Sequence, residues 1–415
     1  MKKRIIVFTN SSVENLVKKN YTFSLRIKSN FDCDKFREKY DIEYVKMTNI
    51  SWRVVSSGDI FLFYRAQFFL RSISLLVNVL KRLNKVVVFD LDDFYFNLPA
   101  YSLSCHLNSF DRLSILKSNI RKSNLVTVST DFLREQMLCY NANISVCKNT
   151  IHTDYFRTTI PETDIIRILI TSSDNLKLHN FKDGFLESIR IIKNNFGDKV
   201  RFCFLGKFSN IENLNFFADE ICEKIPPHEY LSFLKNNNFH IGLVPLGAEE
   251  DPETVIPHSS KSNIKFLEFA TNGIAGIFSE TEPYRKIINY HDGILVKNTT
   301  AAWVEAITEL ITDPELRNKI IINSQETVKA YFSKSVSQDK WLEILNALSI
   351  EKIEISHPTR KRLTAFFLLG FVIFIYHINL LHNKYLFLKI LFKQKDYREI
   401  RKRFSRILNK ICFQK

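Results

Sequence analysis

The feature that most limits how this chain can fold is the recurrence of short apolar runs separated by helix-length segments. Ile5–Phe8, Ile60–Tyr64, Val86–Phe89 and Leu125–Val128 form one series. Ile165–Ile170, Val200–Leu205, His240–Val244, Ile274–Phe278 and Gly293–Val296 form a second. Each run is rich in Val, Ile or Phe and none alternates strictly with polar residues, as expected of strands covered on both faces. Segments such as Arg71–Leu83, Lys182–Asn195 and Ala301–Ile311 lie between them and are long enough to be helices. Strand–helix alternation of this kind specifies parallel, doubly wound sheets. Two series predict an α/β chain of two Rossmann-like domains, residues 1–158 and 159–348. The break falls near Asp154–Asp164, where Arg157-Thr-Thr-Ile-Pro161 interrupts the pattern. The chain length of 415 residues leaves room for a further segment, 349–415.

Several helix starts are marked. Asp313-Pro314 places an N-cap before proline at the first helical position. Thr300 is placed to cap a helix with Trp303, Val304, Ile307, Leu310 and Ile311 on one face. Met1-Lys-Lys-Arg4 followed by Ile5–Phe8 resembles the start of a signal peptide. Its apolar run is too short and breaks at Thr9-Asn-Ser-Ser12, so a first strand and a cytoplasmic body are expected. The seven cysteines are odd in number, widely spaced and without a CxxC pair, which fits reduced thiols better than a disulfide framework or a zinc ribbon.

The net charge of +15 points at first to nucleic acid, but its distribution does not. From Arg360 to Lys415 there are 14 Lys/Arg against 2 Asp/Glu, so +12 belongs to the last 56 residues. That excess lies beside Leu363–Asn383, 21 residues without a charge. Beyond it, Tyr397, Ile400, Phe404, Ile407, Leu408 and Ile411 recur at helical spacing among arginines and lysines. A basic amphipathic helix next to an apolar stretch suits an anionic membrane surface, not an aromatic-studded nucleic-acid face. The uncharged stretch can just span a bilayer, dip into it or lie on it, and a tail packed on the protein is the remaining alternative.

The most informative segment is Ser259-Ser-Lys-Ser-Asn-Ile-Lys-Phe-Leu-Glu-Phe-Ala-Thr-Asn-Gly273. Ser259 or Ser260 is placed to cap a helix that Gly273 ends. Lys261, Lys265, Glu268 and Asn272 then share one stripe of an otherwise apolar helix. One reading is a solvated stripe with a Lys265–Glu268 pair. The other is a stripe facing a cleft, with the helix N-terminus and Lys261 toward a phosphate and Glu268 accepting hydrogen bonds from sugar hydroxyls. Asp90-Leu-Asp92-Asp93, after the Lys85–Phe89 strand, has three readings: a metal-binding DxD motif, a strand-end cluster lining a cleft without metal, or turn capping.

Lys261-Ser-Asn-Ile-Lys265-Phe-Leu-Glu268-Phe-Ala…Gly273, followed by Ser279…Pro283-Tyr284, Gly293-Ile-Leu-Val296 and Trp303, resembles the nucleotide-sugar half of GT-B glycosyltransferases. The pattern is most similar to glycosyltransferase family 4 and its bacterial surface-polysaccharide members. His240-Ile-Gly-Leu-Val-Pro245, Val128-Ser-Thr130 with Asn149, and Val88–Asp93 agree with it. The resemblance implies two Rossmann-like domains facing across a cleft and a sugar moved from a nucleotide-sugar donor with retention and without metal or cofactor. The acceptor implied is a saccharide or lipid-linked saccharide in surface polysaccharide synthesis, at the cytoplasmic face of the membrane.

Residue by residue, Glu268 would hold the donor ribose. Lys261, with the N–H groups of Ser262 and Asn263, would lie near the diphosphate. Lys182 would supply the basic residue after the domain's first strand, with Lys177 and His179 as alternatives, and Ser172 and Ser173 would donate to phosphate or serve only as caps. The first glutamate of the family's paired pattern falls at Ser260, a departure. The resemblance favours Asp92 and Asp93 as acceptor-side cleft residues, with Arg65 pointing into the same cleft. A non-catalytic GT-B-like subunit that tethers a partner to the membrane is the competing expectation.

Overall fold

The computed structural model describes residues 2–64, 71–96, 98, 110–151, 156–157, 163–172, 182–206, 208, 214–222, 225–226, 228–247, 255–348, 362–376 and 378. Among them, twelve strands form two six-stranded, wholly parallel sheets. The first holds β1 (Lys3–Thr9), β2 (Tyr40–Lys46), β3 (Ile60–Tyr64), β4 (Val86–Leu91), β5 (Leu125–Val128) and β6 (Ile144–Val146), in the order β2-β1-β3-β4-β5-β6. The second holds β7 (Ile166–Ser172), β8 (Val200–Gly206), β9 (Glu220–Cys222), β10 (Ile241–Val244), β11 (Ala275–Ser279) and β12 (Ile294–Val296), in the order β12-β11-β10-β7-β8-β9. Strand order reverses between β1 and β3 in the first sheet and between β7 and β10 in the second. Those reversals open crevices at the carboxyl ends of the strands, where ligands of such sheets bind.

Every predicted apolar run is a strand. Three strands without a continuous apolar run, β2, β6 and β9, also form, and each lies at a sheet edge. An edge strand is covered less completely, so Tyr40-Asp-Ile-Glu-Tyr-Val-Lys46 mixes charge with apolar residues and escapes a search for apolar runs. Asp313 caps its helix as expected, its carboxylate accepting from Leu316 N at 2.8 Å, with Pro314 at the first position. The cap of the preceding helix is Thr299 and not Thr300: Thr299 Oγ1 accepts from Ala302 N, while Thr300 Oγ1 donates to the Gly184 carbonyl. The stripe of that helix holds, with Trp303, Ile307 and Leu310 fully buried. The Cys203 and Cys222 sulfurs lie 3.9 Å apart as free thiols on neighbouring strands.

Each sheet is covered on both faces by helices, giving two cores per domain. The chain crosses from the first domain to the second after Ile151 and returns after Phe332. At that crossing Ile151 N donates to the Phe332 carbonyl at 3.2 Å and Ile151 bridges to Ser333. The helix Lys334–Ala347 then packs on the first domain, burying Trp341, Leu342, Ile344 and Leu345 among Ile5, Val7 and Phe31. Trp341 meets the Phe31 ring edge-on at 5.1 Å. A further helix over 362–376 also docks on the first domain, through Ala365, Leu369, Val372 and Tyr376. No helix among the described residues is long and apolar enough to cross a membrane. The expected amphipathic helix around 397–411 lies outside the described residues.

Trp341→Ala removes a fully buried indole that ties the helix Lys334–Ala347 to Phe31 and the first domain. It should destabilise the first domain by about 3–5 kcal/mol, read as a lower urea midpoint with an unchanged slope.

Candidate functional site

The helix Ile264–Thr271 lies against the second sheet where a strand glycine admits it. A Cβ on Gly242 of β10 would come 2.3 Å from the Phe269 ring of the helix, whereas one on Gly276 of β11 would strike Phe278 of the same strand at 2.3 Å. The helix ends as expected at Gly273, whose φ of +68° favours a residue without a side chain. Its start differs from expectation. Val255–Ser259 is a separate short helix, the chain turns at Ser260 and Lys261, and the N-cap is Asn263. Ser259 and Ser260 therefore do not cap it. The N–H groups of Ser262 and Asn263 precede the helix and are not part of its first turn.

The charged stripe is not solvated. Lys265 Nζ donates to Glu268 Oε2 at 2.7 Å and to Tyr230 Oη at 3.0 Å, with the Lys265 and Glu268 side chains 11% and 4% exposed. Burial opposes the Lys265 charge, but Glu268 and then Tyr230 outweigh it and raise its pKa. Burial pushes the Tyr230 phenol up to about 12. Tyr230 in turn donates to Thr171 at the end of β7, 3.5 Å away. The network locks the helix to the carboxyl end of the second sheet beside its reversal. Among the described residues, Glu268 Oε1 has no partner.

In the first domain the three aspartates at the end of β4 and just beyond it divide. Asp90 is fully buried, and Arg26 grips both its oxygens, Nε to Oδ2 at 3.0 Å and Nη2 to Oδ1 at 2.5 Å. Thr127 of β5 donates to the same carboxylate at 2.7 Å. Arg26 sits on a π-helical turn, Ser24–Lys28, and also donates to the Cys147 carbonyl and to Asn149 Oδ1. Burial works against its charge, yet Asp90 outweighs burial and raises its pKa. With both oxygens occupied by a cation, Asp90 does not suit a metal-binding pair with Asp92. Asp92 is buried and accepts from Tyr95 Oη at 3.1 Å. Asp93 is partly exposed and reaches the cleft.

The two domains meet through the segment before the helix. Lys261 Nζ lies 3.6 Å from Asp93 Oδ2. Asn149 Nδ2 donates to Ser262 Oγ at 2.7 Å, and Thr130 Oγ1 to the Ser260 carbonyl at 3.5 Å. Lys286 pairs with Asp131 at 2.6 Å, a hydrogen bond that lowers the Asp131 pKa. A pocket between the domains is lined by Ser129, Thr130 and Lys148 from the first and Ser259, Lys261 and Asn263 from the second. The Ser260 hydroxyl is buried and, among the described residues, without a hydrogen-bond partner. Of the residues singled out from sequence, the structure brings together Lys261, Ser262, Asn263 and Asp93 at the cleft, with Asp92 buried behind. Glu268 is held deeper by Lys265. Lys182 opens the helix Lys182–Phe196, its side chain outside the described residues, as are Arg65 and Ser173. Arg26 carried no motif, and only its long-range partners identify it.

Arg26→Leu leaves Asp90 charged and unpaired in the core. Stability should fall by about 3–5 kcal/mol, measured by urea unfolding. Arg26→Leu combined with Asp90→Leu should recover part of that loss.

No family model and no curated protein matches the sequence. Solved structures do match. The Anabaena protein HepE in complex with UDP and glucose is 11% identical, with a TM-score of 0.57 over 83% of this chain and 100% of that one. Sucrose-phosphate synthase from Thermosynechococcus elongatus is 12% identical, with a TM-score of 0.55 over 83% and 98%. A glycosyltransferase from Rickettsia africae is 16% identical, with a TM-score of 0.54 over 84% and 100%. Paired parallel sheets, strand ends turned toward a shared cleft and a chain that returns to its first domain give this protein the GT-B fold of those glycosyltransferases.

Proposed function

We propose that the chain is a glycosyltransferase that moves a sugar from a nucleotide-sugar donor to a saccharide or lipid-linked saccharide acceptor. The observation that carries this reading is the meeting of Lys261 and Asp93 across the cleft, beside the pocket lined by both domains. The reading draws further support from HepE, a protein of like fold held with UDP and glucose. Surface polysaccharide synthesis at the cytoplasmic face of the membrane is the setting the sequence pattern favours.

In this reading the donor diphosphate lies against the segment Lys261–Asn263. Breaking the bond from C1 to phosphate builds negative charge on the leaving diphosphate, and the Lys261 ammonium is already in place to stabilise it. An arriving diphosphate competes with Asp93 for Lys261 and frees the aspartate to meet an acceptor hydroxyl. Glu268 Oε1 is the oxygen available to a ribose hydroxyl, Oε2 being taken by Lys265. Lys182 and Ser173, which follow β7 in sequence, are assigned to the donor side on the sequence pattern alone. Closure of the domains excludes the water that would hydrolyse the donor. Metal independence accords with the engagement of Asp90 by Arg26. Retention, with attack on the donor's leaving-group face and the leaving phosphate taking the acceptor proton, completes the proposal.

Two observations favour a second reading. Glu268 is tied down by a buried lysine and Ser260 stands where the family pattern has a glutamate, which suits a non-catalytic subunit of the same fold. Calorimetry with UDP-, GDP- and CMP-sugars, with and without EDTA, separates the two. The enzyme reading expects one nucleotide class to bind equally well in EDTA; no binding by any donor leaves the subunit reading.

Lys261→Ala should lower kcat by about 100-fold, measured as nucleotide release with an acceptor. Glu268→Gln should weaken donor binding about tenfold through the ribose contact. The anomeric configuration of the product, read by NMR, should match that of the donor; an inverted product removes the proposed chemistry.

A further inference from the structure

The helix over 362–376 has two unlike faces. Ala365, Leu369, Val372 and Tyr376, each at most 3% exposed, lie within the core of the first domain. Phe366 rests edge-on against Trp52 at 5.7 Å. At roughly 100° per residue, Leu363, Phe367, Phe371, Phe374 and Ile378 line the opposite side. They are 45–68% exposed, a row of large apolar side chains with no charge among them. A soluble monomer seldom leaves such a row uncovered.

The charge around the row points to its occupant. Arg362 heads the helix, exposed, and Arg53 is exposed beside Trp52. Lys85, at the amino-terminal edge of the first sheet, is lowered by burial, against Asp59, and further by the charge of Arg362. Arg360 and Lys361 precede the row in sequence and Lys384 follows it, within a stretch of 14 Lys/Arg against 2 Asp/Glu. Apolar side chains bordered by cations match the acyl boundary and anionic headgroups of a membrane, the two signals that stable anchoring needs. A protein partner for so basic a region would have to present matching acids around an apolar groove; a bilayer offers both features at once.

We propose that this helix lies in the plane of an anionic bilayer, its outer face among the acyl chains and its inner face serving as part of the first domain's core. The 15 residues of 362–376 extend about 22 Å, short of the roughly 30 Å of a hydrocarbon core, and four of them are committed to the protein interior. The bilayer therefore meets the first domain itself and not a loose tether. The inference refines the membrane setting of the proposed function, but its test does not depend on catalysis.

Full-length protein is floated with vesicles of phosphatidylcholine alone and of phosphatidylcholine with phosphatidylglycerol. Binding to the anionic vesicles is expected. Phe367→Ser/Phe371→Ser/Phe374→Ser should weaken it about tenfold or more, with thermal unfolding and nucleotide-sugar binding unchanged. Trp303 and Trp341 are fully buried, so Trp52 reports the surface. Its fluorescence should be quenched by lipids brominated on the acyl chains, and less so in the triple variant. Equal binding by the triple variant would assign attachment to residues 379–415 alone and overturn the proposal. A wild-type dimer that the triple variant splits, without vesicle binding, would assign the face to a second copy and also overturn it. Absence of donor binding with vesicle binding intact would count against the proposed enzyme and leave the membrane assignment standing.

Discussion

The buried ion pair between Arg26 and Asp90 organises the cleft side of the first domain. Arg26 and Asp90 are both removed from water, and a charge there is tolerable only when its partner and every hydrogen bond are in place. The pair meets this condition by gathering groups from distant parts of the chain: Thr127 from the neighbouring strand, the Cys147 carbonyl after the edge strand, and Asn149 beyond it. Asn149 then reaches Ser262 of the second domain. The positions of the Asp92–Asp93 loop and of the Lys261 segment thus share one electrostatic origin, located in neither.

Much of the architecture was legible in the sequence because burial on both faces leaves a one-dimensional trace. Central parallel strands are continuous apolar runs, and all nine expected runs became strands. What escaped was governed by contact across the sheet or across the chain. The edge strands β2, β6 and β9 carry polar residues because solvent reaches them. Thr299 displaced Thr300 as a cap because Thr300 is engaged by Gly184, more than a hundred residues away. The short helix before Ser260 packs His258 over Gly247, where a Cβ would come 2.4 Å from the imidazole, a contact that local spacing does not reveal.

The site was legible in part. The sequence pattern singled out Lys261 and Asp93 from opposite domains, and they meet. It also offered a solvated Lys265–Glu268 pair, whereas the pair is buried and linked through Tyr230 to the end of β7. Helical spacing tells which residues share a stripe but not what covers it. Arg26 was invisible for a similar reason: it lies in an irregular π-helical turn 64 residues from its carboxylate partner.

The way the chain passes between domains governs how they move. It crosses twice, near Ile151 and near Phe332–Ser333, and the crossings are joined by a backbone hydrogen bond. Two adjacent segments tied in this way have the form of one hinge pin, which would resist sliding and permit rotation. Swinging about that axis would carry the Lys261 segment toward or away from Asp93 along a fixed arc. Alignment of the lobes on each closure is then a property of the backbone and needs no guidance from the bound ligands.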